Sequence, residues 1–332
     1  MPPELCATAH FDSDGVLDKF HLNGFWYRLR APKSIRRENI NLNRWHKNHY
    51  RSVRIHLPFQ QRRLVRNTDV FCVGSDQVWN TYHHFDAKLF LDFAGEKRRI
   101  SYASSVGTAQ INPRYADAVR DFLGKFDRIS VREETGRKVL EKLTDRKDIE
   151  RVLDPTLLMT KEDWLRFSSN AHFGFDVPKR YLLVYLLANN QNYALDLEEV
   201  KRRYGVDDVI HIPSCEAPDL KFAGTVKCYG LTPTEFVWLI AHASVVCTDS
   251  FHATIFSINL EREFVVFKRF VQEAADSQNS RLYDVLKLFE LDSRWYVEKS
   301  QEWARPIDWG KTSETLELER GKSMMFLKGA IG

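Results

Sequence analysis

Three short segments place titratable or hydrogen-bonding side chains directly behind an apolar run. In the first, Cys247 is followed by Thr248, Asp249, Ser250, Phe251 and His252. Asp249 or Ser250 is a natural helix N-cap, which puts His252 in the first helical turn, where free backbone N–H groups favour an anion. A histidine beside an anion can donate to a phosphate or act as general acid or base. The plainer alternative is a histidine that caps or packs. In the second segment, Val73 is followed by Gly74, Ser75, Asp76 and Gln77. Asp76 can orient or deprotonate a hydroxyl and Gln77 can hydrogen-bond one, unless Asp76 bonds its own backbone as an Asx-turn. In the third, Val131 leads into Arg132 and Glu133. A guanidinium there can clamp a carboxylate or phosphate through two parallel hydrogen bonds, or pair with Glu133, Glu134 or Asp127.

Weaker candidates surround these. Arg269 and Arg281 flank a polar loop containing Asn279 and can meet an anion in a cleft, although each alone reads first as a surface or pairing residue. Asp154 precedes Pro155, which restricts its backbone, so Asp154, Pro155 and Thr156 read as a structural hinge. His46 and His211 read as structural. Five cysteines, at 6, 72, 215, 228 and 247, form no CxxC pair. They suggest neither a disulfide framework nor a zinc site, and Cys72 and Cys247, inside apolar runs, read as small buried hydrophobes. No carboxylate cluster calls for a metal.

Alternating strand and helix patterns must position these groups. Strands are expected at Val70–Val73, Arg99–Ala103, Asp127–Val131 and Arg151–Leu153. Helices are expected from Pro113 to about Lys125, capped by Asn112, and from Glu133 to Leu143. After a polar joining segment, Ser168 to Lys179, a second series follows. Its strands are Tyr181–Leu187, Val209–Ile212, Ser244–Cys247 and Glu263–Phe267. Its helices are Tyr193–Tyr204, one opened by the capping box of Thr232 and Glu235 and ending near His242, Phe251–Asn259 and Arg281–Glu290. Such alternation indicates βα units and parallel sheets, hence two Rossmann-like halves facing a cleft. The three chemical segments then all lie just beyond strand ends, where open α/β sheets bind ligands. The segments are a basic N-terminal stretch, 1–68, in which no clear strand is legible, an N-terminal Rossmann-like domain, 69–170, and a C-terminal Rossmann-like domain, 171–332.

With 332 residues, 43% of them hydrophobic, and a net charge of +4, the chain suits a globular protein with two cores. No apolar run approaches a membrane span and no secretory signal is recognisable, so a cytoplasmic location is expected. Between Arg28 and Arg66 twelve lysines and arginines face one acid, Glu38, with Trp45 and Tyr50 interleaved. No nucleic-acid-binding motif accompanies the charge. It pairs with acids elsewhere, or it docks an anionic acceptor at the inner membrane surface, with Arg36, Arg37, Arg62 and Arg63 as contacts.

In this order, DVFCVGSDQVWN (69–80), RRISYASSVG (98–107), RISVREETG (128–136), VLDPTLLM (152–159), LLVYLL (182–187), VVCTDSFHATIFSI (245–258), FVVFKR (264–269) and NSRLYDVL (279–286) resemble the polysaccharide pyruvyl transferase family over about residues 69–295. The resemblance implies a two-domain GT-B-like arrangement. The implied donor is phosphoenolpyruvate, with no further cofactor, and the implied product is a cyclic pyruvate ketal on a sugar of a glycan or lipid-linked saccharide. It implies Arg132 as a donor-binding arginine and His252 as the histidine at the reacting donor. Ser250, Phe251, Arg269 and Arg281 complete the implied donor set, with Asp76 as a candidate base or, with Gln77, an acceptor ligand. The chain departs from the family in carrying Ser250 where some branches have arginine, and in lacking an Asn-Tyr-Gly loop near its start. The latter allows the 1–68 segment to be a truncated part of the first domain. A nucleotide-sugar glycosyltransferase and a non-catalytic glycan-binding relative are the alternative readings.

Overall fold

The computed structural model describes residues 7–11, 44–45, 48, 51–55, 57–188, 193–214, 225–270 and 277–332. Two strands precede residue 69: β1 (Ala7–Phe11) and β2 (Arg51–Ile55) pair in parallel, followed by α1 (Pro58–Arg66). This corrects the expectation of a strandless N-terminal segment. Arg51 opens β2 and Arg54 stands next to its last residue, so the short run RSVRI gave no legible alternation. Cys6, Cys215, His46, Tyr50, Arg36 and Arg37 lie outside the described residues.

The next strands are β3 (Val70–Val73), β4 (Arg98–Ser101), β5 (Ser130–Val131) and β6 (Glu150–Arg151). β3 pairs with β4 and β5 with β6, and single bridges Ile100–Arg128 and Ser104–Val131 join the two pairs. The result is one parallel set, β3-β4-β5-β6. α2 (Ala116–Leu123) and α3 (Glu134–Thr144) pack against it, burying Val119, Leu123 and Leu140 with Trp79, Phe90 and Ile129. Along β3, Phe71 and Val73 point into that core, so the period-2 alternation turns Cys72 outward. Cys72 is exposed, not buried as expected, whereas Cys228 and Cys247 are buried. α4 (Lys161–Ser168), opened by the Thr160–Asp163 capping box, leads to the second half.

The second sheet contains β7 (Leu182–Tyr185), β8 (Val209–His211), β9 (Thr225–Lys227), β10 (Val245–Thr248) and β11 (Phe264–Val266). All are parallel, in the order β11-β10-β7-β8-β9. The chain order reverses between β7 and β10, which makes their carboxyl ends a topological switch point. α5 (Tyr193–Tyr204), α6 (Pro233–His242), α7 (Phe251–Asn259) and α8 (Ser280–Leu288) accompany the strands. Alternate residues of β10 serve two cores. Val246 joins Ile210, Leu239 and Ile255 on one face, and Val245 and Cys247 join Leu197 and Val200 on the other. His211 is buried within β8. The protein is thus α/β, with two Rossmann-like halves built on parallel strands.

The last helix, α9 (Trp309–Ile331), returns to the first half. Ser323 accepts from the Leu153 N–H at 2.9 Å, Arg98 donates to the Ala330 carbonyl at 2.9 Å, and Glu319 pairs with Arg151. Phe326 and Ala330 close a small core with Ile100, Tyr102 and Val152. None of the described helices is long and apolar enough to cross a membrane.

Candidate functional site

The three chemical segments meet where the two halves face each other. Arg132, one residue past β5, has a side chain with no exposed surface. Its Nη1 donates to Asp154 Oδ2 at 2.8 Å and its Nη2 to Asp76 Oδ1 at 3.2 Å, while Nε stands 3.8 Å from Glu133 Oε2. The guanidinium lies 4.4 Å from the centre of the Phe251 ring, at the start of α7 in the other half. Of the partners expected for Arg132, only Glu133 stands nearby; Glu134 pairs with Arg137, and Asp127 accepts from the Arg99 N–H.

Asp154 therefore belongs to the site. Its carboxylate is buried, accepts from Ser75 Oγ at 3.0 Å, and caps its own turn through the Thr156 N–H and hydroxyl. The expected structural role of Asp154–Thr156 shows in that cap. Burial works to raise its pKa, but Arg132, then His252 and the Thr156 donors, hold it below the usual carboxylate range. The signal available in the sequence was its place directly after the predicted strand Arg151–Leu153. Asp76 differs in exposure, its side chain being 69% open although the surroundings are crowded. Burial pushes its carboxyl up, and Arg132 and His252 outweigh this and bring it down. Gly74 makes this turn feasible: at φ +136°, a Cβ would stand 2.0 Å from the Tyr102 carbonyl oxygen.

Glu133 is buried, accepting from Ser105 Oγ at 2.8 Å and the Gly107 N–H at 2.9 Å. Desolvation raises its pKa despite the opposing pull of Arg132. Its Oε2 and the Nε atoms of Arg132 and Arg281 have no hydrogen-bond partner among the described residues.

From the second half, Ser250 caps α7, its Oγ accepting from the Ala253 N–H at 3.5 Å. Asp249 instead ties the switch point together, accepting from the Leu187 and Ala188 N–H groups at 2.6 and 2.9 Å. The backbone N–H groups of Phe251 and His252 find no acceptor among the described residues, as first-turn donors do unless a cap or ligand serves them. Neither ring nitrogen of His252 has a hydrogen-bond partner among the described residues. Burial lowers its pKa, Asp154 and Asp76 pull it back up, and Arg132 and Arg281 push it down; the net shift is downward from 6.5.

Arg281, in the first turn of α8, is buried with its guanidinium 5.7 Å from the centre of the same Phe251 ring. Among the described residues no carboxylate lies within ion-pair reach of it. Its Nη2 donates to Gln278 Oε1 at 2.9 Å, and the Gln77 carboxamide, with its oxygen turned to the guanidinium, accepts from Arg281 Nη1 and Nη2 at 3.1 and 3.2 Å and donates to Gln278 Oε1 at 3.2 Å, a link between the halves. Burial first, then Arg132, lowers its pKa to about 10. Asp284 adds a second link, accepting from the Thr135 N–H at 2.7 Å. Arg269 lies over the Phe270 ring at 5.5 Å, and its charge is felt by Asp249 and Arg281. Arg132, Asp76, Ser250, Phe251, His252 and Arg281 are thus brought together. Gln77 is engaged by Gln278 and Arg281, and Arg269 stands at the periphery. Among the described residues no group of three or more His, Cys, Asp or Glu side chains is placed to hold a metal ion.

A family model described as polysaccharide pyruvyl transferase matches residues 12–269, reaching well before the 69–295 span of the motif resemblance. No curated protein matches the chain. Among solved structures, the Methanocaldococcus jannaschii UDP-GlcNAc 2-epimerase in complex with UDP-GlcNAc and UDP is 14% identical, with 78% of each chain covered and a TM-score of 0.44. The wall teichoic acid polymerase TagF is 9% identical over 97% of this chain and 83% of its own, with a TM-score of 0.47. Anabaena Alr3699/HepE, in complex with UDP and glucose, is 8% identical over 97% and 99%, with a TM-score of 0.45.

Proposed function

As the chain belongs to the polysaccharide pyruvyl transferase family and is a transferase, we propose that it moves the pyruvyl group of phosphoenolpyruvate onto two hydroxyls of a sugar, forming a pyruvate ketal. The observation that carries this reading is the pair of buried guanidinium groups over the Phe251 ring, one of them without a carboxylate among the described residues, beside the open N–H groups of α7 and an unengaged His252. A buried cation lacking a counter-ion is costly, and an anion that supplies one is bound strongly. Phosphoenolpyruvate carries about three negative charges near neutral pH, split between a carboxylate and a phosphate. Arg132, Arg281 and the Ser250–His252 helix start form the donor site, with Arg269 at its edge.

The chemistry needs a proton on the donor methylene and a base for the attacking hydroxyl. His252 and Asp76 supply an acid–base pair, each within the electrostatic influence of Arg132. Addition of the first hydroxyl places one proton on the methylene and joins the sugar oxygen to the central carbon. Attack by the second hydroxyl expels phosphate, which leaves with the bonding pair and takes up the second proton. The orphaned Nε atoms and free N–H groups serve the anionic ends of the donor throughout.

Thermal unfolding tests the donor. A ligand at 100 times its Kd stabilises the folded state by about 2.7 kcal/mol. Phosphoenolpyruvate is expected to raise the Tm saturably. A rise with UDP-sugars and none with phosphoenolpyruvate would instead indicate a nucleotide-sugar glycosyltransferase, and no response to either a glycan-binding relative.

A further inference from the structure

The two carboxylates on Arg132 are not equivalent. Asp154 is 2% exposed and fixed by Ser75 and Thr156, whereas Asp76 is 69% exposed and meets Arg132 through a single 3.2 Å contact. Breaking a buried, hydrogen-bonded ion pair costs roughly 3–5 kcal/mol, but an exposed pair contributes only about 0–1 kcal/mol. An anion arriving at Arg132 Nη2 therefore displaces Asp76 and leaves Asp154 in place. The backbone reinforces the asymmetry: Asp76 sits at φ +54° in the turn after Gly74, outside any strand or helix.

We propose that Asp76 is an exchangeable counter-ion. It occupies the donor's place on Arg132 in the free protein, is released when the donor binds, and then serves as the base for the acceptor hydroxyl. This deepens the phosphoenolpyruvate reading and rests on it for the identity of the donor. Its consequence is an order of events. While paired with Arg132, Asp76 is a weak base, because the guanidinium stabilises its ionised form. Once the donor's negative charge takes its place, the carboxylate is both free and surrounded by less positive potential. It then accepts the hydroxyl proton as the O–H electron pair becomes the new bond to the donor's central carbon. As that bond forms, the C=C electron pair takes a proton from His252 and the methylene becomes a methyl group. Attack by the second hydroxyl then breaks the carbon–oxygen bond to phosphate with its electron pair on phosphate, which takes the proton from Asp76 as it leaves, and the second hydroxyl's proton returns to His252. Hydroxyl activation before donor binding is thereby suppressed. His252, whose ring nitrogens have no hydrogen-bond partner among the described residues, remains available as the acid.

Calorimetric titration of phosphoenolpyruvate and, separately, inorganic phosphate into the wild type and Asp76→Asn tests the exchange without an acceptor. Asparagine keeps the shape and tolerates a positive φ, so the turn survives. Removing the competitor is expected to tighten binding about 2- to 5-fold, the equivalent of an exposed ion pair. Unchanged or weaker binding of both anions by Asp76→Asn overturns the exchange while leaving the donor reading intact. Tightening for phosphate, with no phosphoenolpyruvate binding to either protein, supports the exchange and removes the donor. Failure of both anions to bind either protein removes both.

Discussion

His252 is governed by opposing neighbours: burial and two arginines disfavour its charged form, and two aspartates favour it, with a net shift below 6.5. In the free protein at neutral pH the ring is therefore mostly neutral. A bound donor adds negative charge, which raises the pKa and loads a proton onto the ring, the form an acid needs. The sign follows: at pH 7.5, where a phosphate monoester has already lost its second proton, donor binding takes up protons and strengthens as pH falls. Titration in buffers of different ionisation enthalpy is expected to show uptake in the wild type and less in His252→Ala. Turnover by that variant should drop by about 10²- to 10⁴-fold with its circular dichroism unchanged. Undiminished uptake or full turnover would make His252 structural. The three chemical segments were legible because each follows an apolar run. The partnership of Arg132 with Asp154 was not, since it joins residues 22 apart in sequence through the ends of two adjacent strands. Nor was the lack of an ion pair for Arg281 among the described residues, which depends on what the fold places around it.

At the scale of elements, boundaries fixed by local chemistry were legible and those fixed by partners were not. Tyr193–Tyr204, Pro233–His242 and Phe251–Asn259 match their expected helices, the latter two with Thr232 and Ser250 as caps. Asp127–Val131 contains only a two-residue strand, Ser130–Val131, because its ladder to β4 is reduced to single bridges. α4 fell in the segment just before the polar joiner. α9 escaped because its buried line, Thr312, Leu316, Glu319, Ser323, Phe326 and Ala330, has helical spacing but half polar composition. Two of its polar members are matched by the first half, Glu319 by Arg151 and Ser323 by Leu153, and Thr312 donates to the Asp308 carbonyl. α9 therefore fastens the chain's end to the strand that leads to Asp154. Phe326→Ala opens a cavity against Tyr102 and Val152 and is expected to cost about 3–5 kcal/mol, as large core truncations do. Denaturant unfolding measures it; a loss below about 1 kcal/mol would mean that α9 contributes little to the first half.

At the scale of the whole molecule, each half supplies what the other lacks. The first sheet presents Arg132 with its two carboxylates, and the second presents the α7 N-terminus, His252 and Arg281. The Gln77–Gln278 and Thr135–Asp284 hydrogen bonds hold the two sets against each other. Two Rossmann-like halves were readable from the alternation of strands and helices, but the return of α9 and the strands before residue 69 required the folded chain. The account's central claim is that an anionic donor is held between the halves by the buried arginines. Calorimetric titration of phosphoenolpyruvate into the wild type and Arg281→Gln tests it most directly, since the glutamine removes a buried charge that forms no ion pair among the described residues. Saturable binding by the wild type, weakened at least about 10-fold in the variant as for a desolvated charge contact, is the predicted result. Equal affinity in the two proteins, or no binding by the wild type, would contradict it.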